Sequence, residues 1–293
     1  MSKFNLNNVY IYIILSLITL LYIRYRQYSI EAFNNELHEI PFFIPRKNKN
    51  SLKTVLNLPL VIYHSWQSNS VPPKMKENIY SLLESNPDFD YYLYSDAASR
   101  EFIKNNYDND VVDAFDILKP GAYKSDLWRY CILYKNGGVY IDIKYNTVVP
   151  LISIVERTPT VFINDREIIH NNTKQDCIYN GFIISPPGNK VLKDCIDEIV
   201  ENCKNKLYKM NDIDVTGPCL LGRNMKKYDD EYYNNNQYRF DEIQDENNID
   251  RINLIYFNST IILQSYKEYR REQNRYQDTP HYSKLWRIGD IFM

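Results

Sequence analysis

Lys124-Ser-Asp-Leu-Trp-Arg-Tyr130, followed shortly by Asn136-Gly-Gly-Val-Tyr-Ile-Asp-Ile-Lys144, decides how this chain is read. Tyr123, Leu127, Tyr130, Cys131 and Tyr134 recur at helical spacing, so the first stretch predicts a helix with one apolar stripe. Pro120-Gly121 opens that helix and Gly137-Gly138 stops it. Val139 to Ile143 then predicts a strand. Asp126 and Arg129, spaced i, i+3, project from one side of the helix and flank its stripe. The tight glycine turn returns the strand beside the helix and can bring Asp142 close to both. On spacing alone, this cluster reads equally as a structural salt bridge or as a site.

Working outward, Leu60 to Tyr63 predicts a first buried strand. After Pro72-Pro73, the positions Met75, Ile79, Leu82 and Leu83 predict a helix. Tyr91 to Tyr94 predicts a second strand, and Ser95 or Asp96 caps the helix through Phe102 and Ile103. The order βαβαβ predicts an α/β domain with a mainly parallel sheet. In open sheets of that kind ligands sit beyond the carboxyl ends of the strands, where Asp142 and Lys144 fall. The domain is expected over residues 58–293. Ahead of it, residues 27–57 carry Pro41, Pro45 and Arg46-Lys47-Asn48-Lys49 without sustained periodicity and predict a stem. Val9 to Ile23 is uncharged, and between Lys3 and Arg24 the uncharged run reaches about twenty residues, the length of a spanning helix. Residues 1–26 are therefore expected to be a single-pass membrane anchor. Lys3 opposes Arg24 and Arg26, so orientation is not set.

The 293 residues, 44% hydrophobic and 25% charged, suit one globular domain plus an appendage. A net charge of -2 supplies no field that attracts a phosphate backbone, which argues against nucleic acid as a partner. Five cysteines show no Cys-x-x-Cys pair and no regular spacing, so neither a zinc site nor a disulfide framework is expected. Asn171-Asn172-Thr173 and Asn258-Ser259-Thr260 match the N-glycosylation acceptor pattern, a weak signal in an Asn-rich chain.

Asp126-x-x-Arg129-Tyr130 followed by Gly137-Gly138-Val139-Tyr140-x-Asp142 resembles the signature of glycosyltransferase family 32, sugar transferases with a DXD motif, related to initiation-type alpha-mannosyltransferases and capsular polysaccharide transferases. Pro59 to Trp66, Asn86-Pro87 through Asp96, Asn180-Gly181-Phe182, Thr216-Gly217-Pro218 and His281 through Trp286 resemble further family segments in the same order. The resemblance implies a GT-A nucleotide-sugar transferase fold, retention of anomeric configuration, a nucleotide-diphosphate sugar donor and a glycan or glycoconjugate acceptor. With the expected anchor it also implies a single-pass membrane protein, of the Golgi or another endomembrane if the source is a eukaryote or a virus of one.

Carried onto this sequence, the resemblance makes Trp66 stack on the donor base. Ser125, Asp126 and Arg129 hold ribose and sugar hydroxyls, and Tyr140 and Asp142 lie beside the diphosphate. Asn180, Lys284 and Trp286 join the substrate-binding set. The residue types suit these tasks: a flat ring gives contact area, a carboxylate accepts paired hydroxyls, and a guanidinium donates in a fixed fork. For Trp66 and His64 an ordinary core role is the alternative. Two departures stand out. Leu285 occupies a position where the family has Ser. Lys144 replaces the second motif aspartate that binds Mn²⁺ or Mg²⁺ directly, and an ammonium cannot ligate a cation. Three readings stay open: Lys144 supplies the metal's charge itself, His281 joins Asp142 around a weaker metal, or catalysis is lost and a silent nucleotide-sugar or glycan-binding protein remains. The first, with Asp142, Arg129 and Lys144 as the catalytic set, is the leading expectation.

Overall fold

The computed structural model describes residues 15–20, 22–24, 37–50, 52–165, 168–170, 173–228, 238–244 and 251–293. Among them, a ten-stranded sheet organises the domain. In chain order its strands are β1 (Phe43–Ile44), β2 (Val61–Ser65), β3 (Asp90–Tyr94), β4 (Gly138–Ile141) and β5 (Tyr145–Thr147), then β6 (Val161–Asn164), β7 (Ile178–Ser185), β8 (Tyr238–Gln244), β9 (Arg251–Phe257) and β10 (Thr260–Ser265). Their order across the sheet is β1-β3-β2-β4-β7-β6-β8-β9-β10-β5. The helices that matter for the site are α1 (Pro73–Ser85), α2 (Asp96–Asn106), α3 (Asn109–Ile117), α4 (Gly121–Asn136), α5 (Lys190–Lys204), α6 (Pro218–Met225), α7 (Tyr269–Tyr276) and α8 (Tyr282–Arg287).

Strand periodicity sorts the core into two layers, because successive side chains point to opposite faces. Ile62, Tyr91, Leu93, Val139 and Ile141 face α1 and pack with Met75, Ile79 and Leu82. Tyr63, Tyr94, Tyr140 and Ile183 face the other way, onto Leu127, Trp128 and Cys131 of α4 and Leu192, Ile196 and Ile199 of α5. Trp128 and Tyr130 are fully buried. α4 thus lies between sheet and helices and is covered nearly all round, which is why apolar residues extend beyond its single predicted stripe. The expected cap of α2 is Ser95, whose hydroxyl accepts from the Ala98 amide at 3.1 Å.

The expected mainly parallel sheet is corrected to a mixed one. Only β2 with β3, β2 with β4, and β6 with β8 run parallel among the described neighbours; the other pairs are antiparallel. The βαβαβ order is right up to β4. Beyond it, β8, β9 and β10 follow one another as hairpins, and hairpins can only pair antiparallel.

Part of the expected stem also belongs to the packed unit. Phe43–Ile44 pairs with Tyr91 and Tyr92, His38–Glu39 pairs with Ser70–Val71, and Ile40 is 1% exposed in the core. Arg46 donates to Asp90 at 2.6 Å, which ties the same stretch down. The anchor expected over residues 1–26 falls largely outside the described residues, and no described helix is long and apolar enough to cross a membrane.

Contrary to the sequence expectation, Cys177 and Cys219 form a disulfide that joins the start of β7 to the first turn of α6, 42 residues away in sequence. The pairing is created by the fold and leaves no local spacing pattern. Cys131, Cys195 and Cys203 are buried and free. Cross-linking a loop of this length restricts the unfolded chain, so Cys177→Ser with Cys219→Ser is expected to lower stability by about 2–4 kcal/mol in denaturant titration.

Candidate functional site

A cleft of about 490 Å³ opens at the carboxyl ends of β2, β3 and β4, the edge where the sequence placed Asp142 and Lys144. Two glycine positions permit the close approach. Gly138 has φ +118, and a Cβ there would lie 2.9 Å from the Tyr63 ring and 3.0 Å from the Val61 carbonyl, so only glycine lets β4 enter beside β2. Gly181 lies against the site itself, where a Cβ would sit 2.6 Å from Asp142 Oδ2 and 2.5 Å from the Tyr179 hydroxyl. The Asp142 amide donates to the Gly181 carbonyl at 2.8 Å, which fixes the turn carrying the carboxylate.

Asp126, Arg129 and Asp142 come together as the glycine turn suggested. Arg129 reaches Asp126 Oδ1 at 3.2 Å and Asp142 Oδ1 at 3.8 Å. It donates to the Asn180 carbonyl at 2.7 Å and to the Ser125 hydroxyl at 3.0 Å, and its guanidinium lies over the Tyr140 ring at 4.3 Å. With the Arg129 side chain 6% exposed, these partners hold its charge in place. Asp126 accepts from Asn180 Nδ2 at 2.9 Å and from Thr216 Oγ1 at 2.7 Å. Burial raises its pKa against the opposing pull of Arg129 and Thr216. Both its oxygens are engaged, so Asp126 orders the loops around the cleft as well as lining it.

Tyr140 donates to Asp142 Oδ1 at 2.9 Å, while Oδ2 faces the Lys144 ammonium at 3.1 Å. Burial works to raise the Asp142 pKa, but Lys144 and Arg129 outweigh it and hold the carboxylate below its ordinary value. Lys144 is further surrounded by the rings of Tyr145, Tyr179 and Tyr269 at 5.2, 5.7 and 6.0 Å. The result is a fixed cation at a strand end, largely buried yet open to the cleft. Ser65 and Ser125 share a hydrogen bond at 2.7 Å and complete the polar floor.

Trp66, Ser125, Asn180 and His281 also line the cleft. Trp66 is 8% exposed and packs in the core while lining the cleft. Lys284 and Trp286 are not brought to the cleft. The Trp286 ring N–H donates to the Tyr208 carbonyl at 2.8 Å and clasps α8 to the loop before α6. Leu285 is buried in the core, which accounts for the apolar residue there. His64 is fully buried, its Nδ1 lies 3.1 Å from the Tyr91 hydroxyl, and burial lowers its pKa to about 3, so it is a neutral core histidine.

Several lining residues escaped the sequence reading: Tyr179, Phe240, Asn253, Tyr269 and Asp96 among them. Tyr269 belongs to a C-terminal segment pinned across the sequence. Glu272 accepts from the Lys74 and Met75 amides at 2.9 and 3.0 Å, capping the free N–H groups of α1. Gln67 donates to the Tyr276 carbonyl at 2.7 Å and accepts from the Asp278 amide at 3.0 Å. Trp66's neighbour thereby holds the far side of the cleft.

Asp96 lines the cleft beside Trp66 and Gln67, and burial, against the pull of Lys124, raises its pKa from 3.8 to about 6. The folded protein therefore keeps a proton that the unfolded chain has lost across this window, so the group weakens stability as pH rises through it. Asp96→Asn is expected to raise stability at pH 7 by at most about 3 kcal/mol, with little change at pH 4. Thermal melts at both values measure the difference.

The donor set fits a divalent cation poorly. One Asp142 oxygen accepts from Tyr140, the other faces an ammonium, and His281 Nδ1 already accepts from the Ser283 amide at 3.3 Å. Among the described residues no three His, Cys, Asp or Glu side chains form a metal cluster.

Residues 72–161 match the family described as "Glycosyltransferase sugar-binding region containing DXD motif". The matched stretch, which holds α4, β4 and Asp142, is thus similar to the sugar-binding region of the DXD-motif glycosyltransferases. Inositol phosphoceramide mannosyltransferase 3 of Schizosaccharomyces pombe is 34% identical over 86 residues, 29% of this chain and 24% of that protein. Inositol phosphoceramide mannosyltransferase 2 of the same organism is 35% identical over 120 residues, 40% of this chain and 34% of that one. The matches thus span about a quarter to a third of these relatives' length. The PaToxG glycosyltransferase structure aligns with a TM-score of 0.42 and 14% identity, covering 58% of this chain and 70% of that one.

Proposed function

We propose that this protein is a retaining glycosyltransferase of GT-A fold that moves a sugar from a nucleoside-diphosphate donor to a hydroxyl of a glycan or glycoconjugate. Residues 1–26 anchor it in an endomembrane such as the Golgi. The Cys177–Cys219 disulfide favours a catalytic domain facing the oxidising, lumenal side. The names of the matched relatives make mannose the first sugar to test and inositol phosphoceramide one candidate acceptor.

The observation that carries this reading is the Asp142–Lys144 pair at 3.1 Å, at the carboxyl end of β4 and flanked by Arg129. Trp66 takes the donor base, while Ser125, Asp126 and Arg129 take its hydroxyls. Asp142, held by Tyr140, orients the sugar and aims Lys144 at the diphosphate. In transfer the bond from the sugar C1 to the diphosphate oxygen breaks, and the acceptor oxygen bonds to C1 on the same face. The acceptor proton passes to the departing phosphate oxygen. Lys144 stabilises the charge that grows there, electrostatic work for a fixed, largely buried cation. The intact polar set speaks against the silent alternative. A screen of nucleotide-sugar hydrolysis with and without chelator tests the proposal, and no turnover of any donor under either condition would overturn it.

A further inference from the structure

The β9–β10 hairpin turns on two residues, Asn258 and Ser259, between Phe257 and Thr260, its last cross-strand pair. Asn258 takes φ +53, in the left-handed region that asparagine tolerates better than most residues with a Cβ. Asn258, Ser259 and Thr260 are all exposed, and among the described residues no hydrogen bond engages the Asn258 side-chain amide. The turn explains an asparagine at 258. It places no demand on 260, where a strand residue of many kinds would serve, yet a hydroxyl stands there and completes the Asn-x-Thr acceptor pattern. The other triplet of this kind has both its asparagines, Asn171 and Asn172, outside the described residues.

The tip of this hairpin lies away from the cleft. Arg157, shortly before β6, sets its guanidinium over the Phe257 ring at 5.8 Å, so the turn sits toward the amino end of β6. The cleft lies at the other end of the same strand, where Asp165 follows β6 and lines it. Asn253, the β9 residue that reaches the cleft, is five residues from Asn258, about 17 Å along an extended strand. A large polar group on the Asn258 amide therefore extends into solvent without covering the donor site.

We infer that Asn258 is an N-glycosylation site, taking a preassembled oligosaccharide from a polyprenyl-pyrophosphate donor. In that transfer the bond between the sugar C1 and the pyrophosphate oxygen breaks, C1 bonds to Asn258 Nδ2, and one amide proton leaves with the pyrophosphate. Thr260 supplies the hydroxyl that the acceptor pattern requires two residues on. Such transfer takes place on the lumenal side, so the site rests on the placement proposed above, to which the Cys177–Cys219 disulfide also belongs. A glycan at Asn258 decides the membrane orientation that Lys3, Arg24 and Arg26 leave open.

The full chain, translated in the presence of endoplasmic-reticulum microsomes, is expected to gain a step in apparent mass that endoglycosidase H removes. Asn258→Gly keeps the left-handed turn and is expected to lose that step. Thr260→Ala is expected to lose it with the asparagine still in place, and Thr260→Ser to retain it. Asn171→Gln separates any step contributed by the second triplet. Trypsin added outside the microsomes reports orientation in the same samples. A mass step unchanged in Asn258→Gly, or surviving in Thr260→Ala, overturns the site. No step in a protease-protected domain overturns the site and leaves the lumenal placement standing, whereas no step in a digested domain overturns both.

Discussion

Asp142→Asn is expected to reduce transfer by about a hundredfold or more, because it removes the carboxylate that holds Lys144 and Arg129 in the cleft. The sequence alone suggests that such a change barely affects stability, since polar residues at strand ends usually serve ligands. The structure changes that expectation. Asp142 faces Lys144 at 3.1 Å and Arg129 at 3.8 Å, and an amide offers neither a full counter-charge. Breaking a fully buried pair costs about 3–5 kcal/mol, and Asp142, a quarter exposed, is expected to lose less, about 1–3 kcal/mol. Its pKa is held below 3.8, so its stabilising contribution is complete above that value and disappears as pH falls toward the folded-state pKa. The variant should therefore differ most from wild type at neutral pH and converge with it in acid. Chemical denaturation at pH 7 and pH 3, beside a transfer assay on the folded variant, measures both effects. Wild-type turnover in Asp142→Asn would remove the residue from the mechanism.

The half of the fold that the sequence disclosed is the half in which local signals agree with one another. From β2 to β4, apolar strands, capped helices and the Gly137-Gly138 stop all fall within short windows, and the predicted elements lie within about three residues of their predicted bounds, although α3, in the same span, carries no prediction. Asp126, Arg129 and Asp142 met as expected because one helix, one turn and one strand position all three. The remainder depends on contacts distant in sequence. Glu272 caps a helix nearly two hundred residues earlier, and nothing near it marks it as a cap. Cys177 finds Cys219 only after β7 and α6 dock. Ile40 becomes a core residue within a stretch whose prolines and charges read as linker. Lys284 and Trp286, adjacent to His281 in sequence, turn away because α8 packs its Leu285 face inward and directs the tryptophan to Tyr208. Burial on one side of a short helix dictated their direction, and spacing alone carries no trace of it.

Lys144 offers the sharpest discrimination, because replacing it changes charge at the one point where this chain departs from the two-aspartate motif. Its ammonium lies against Asp142 and within 6.0 Å of three tyrosine rings, an arrangement suited to holding a cation that is part of the protein. Transfer by the wild type is therefore expected to survive chelation, and Lys144→Ala is expected to lose about a hundred- to a thousandfold in kcat, the scale of losing one preorganised electrostatic contact. Lys144→Asp separates charge from ligation. It sets a second carboxylate beside Asp142 in the same enclosed space, where two like charges cannot both ionise cheaply. Without metal this variant should be less stable than Lys144→Ala at pH 7 and should recover as pH falls and one carboxylate takes a proton. If the pair can ligate, millimolar Mn²⁺ should raise its melting temperature, since a cation bound only by the folded state stabilises in proportion to RT ln(1 + [Mn²⁺]/Kd). The wild type and Lys144→Ala should show no such rise. Loss of wild-type transfer on chelation, restored by Mn²⁺, would instead assign the leaving-group charge to a metal held at Asp142 and leave Lys144 as that carboxylate's structural partner.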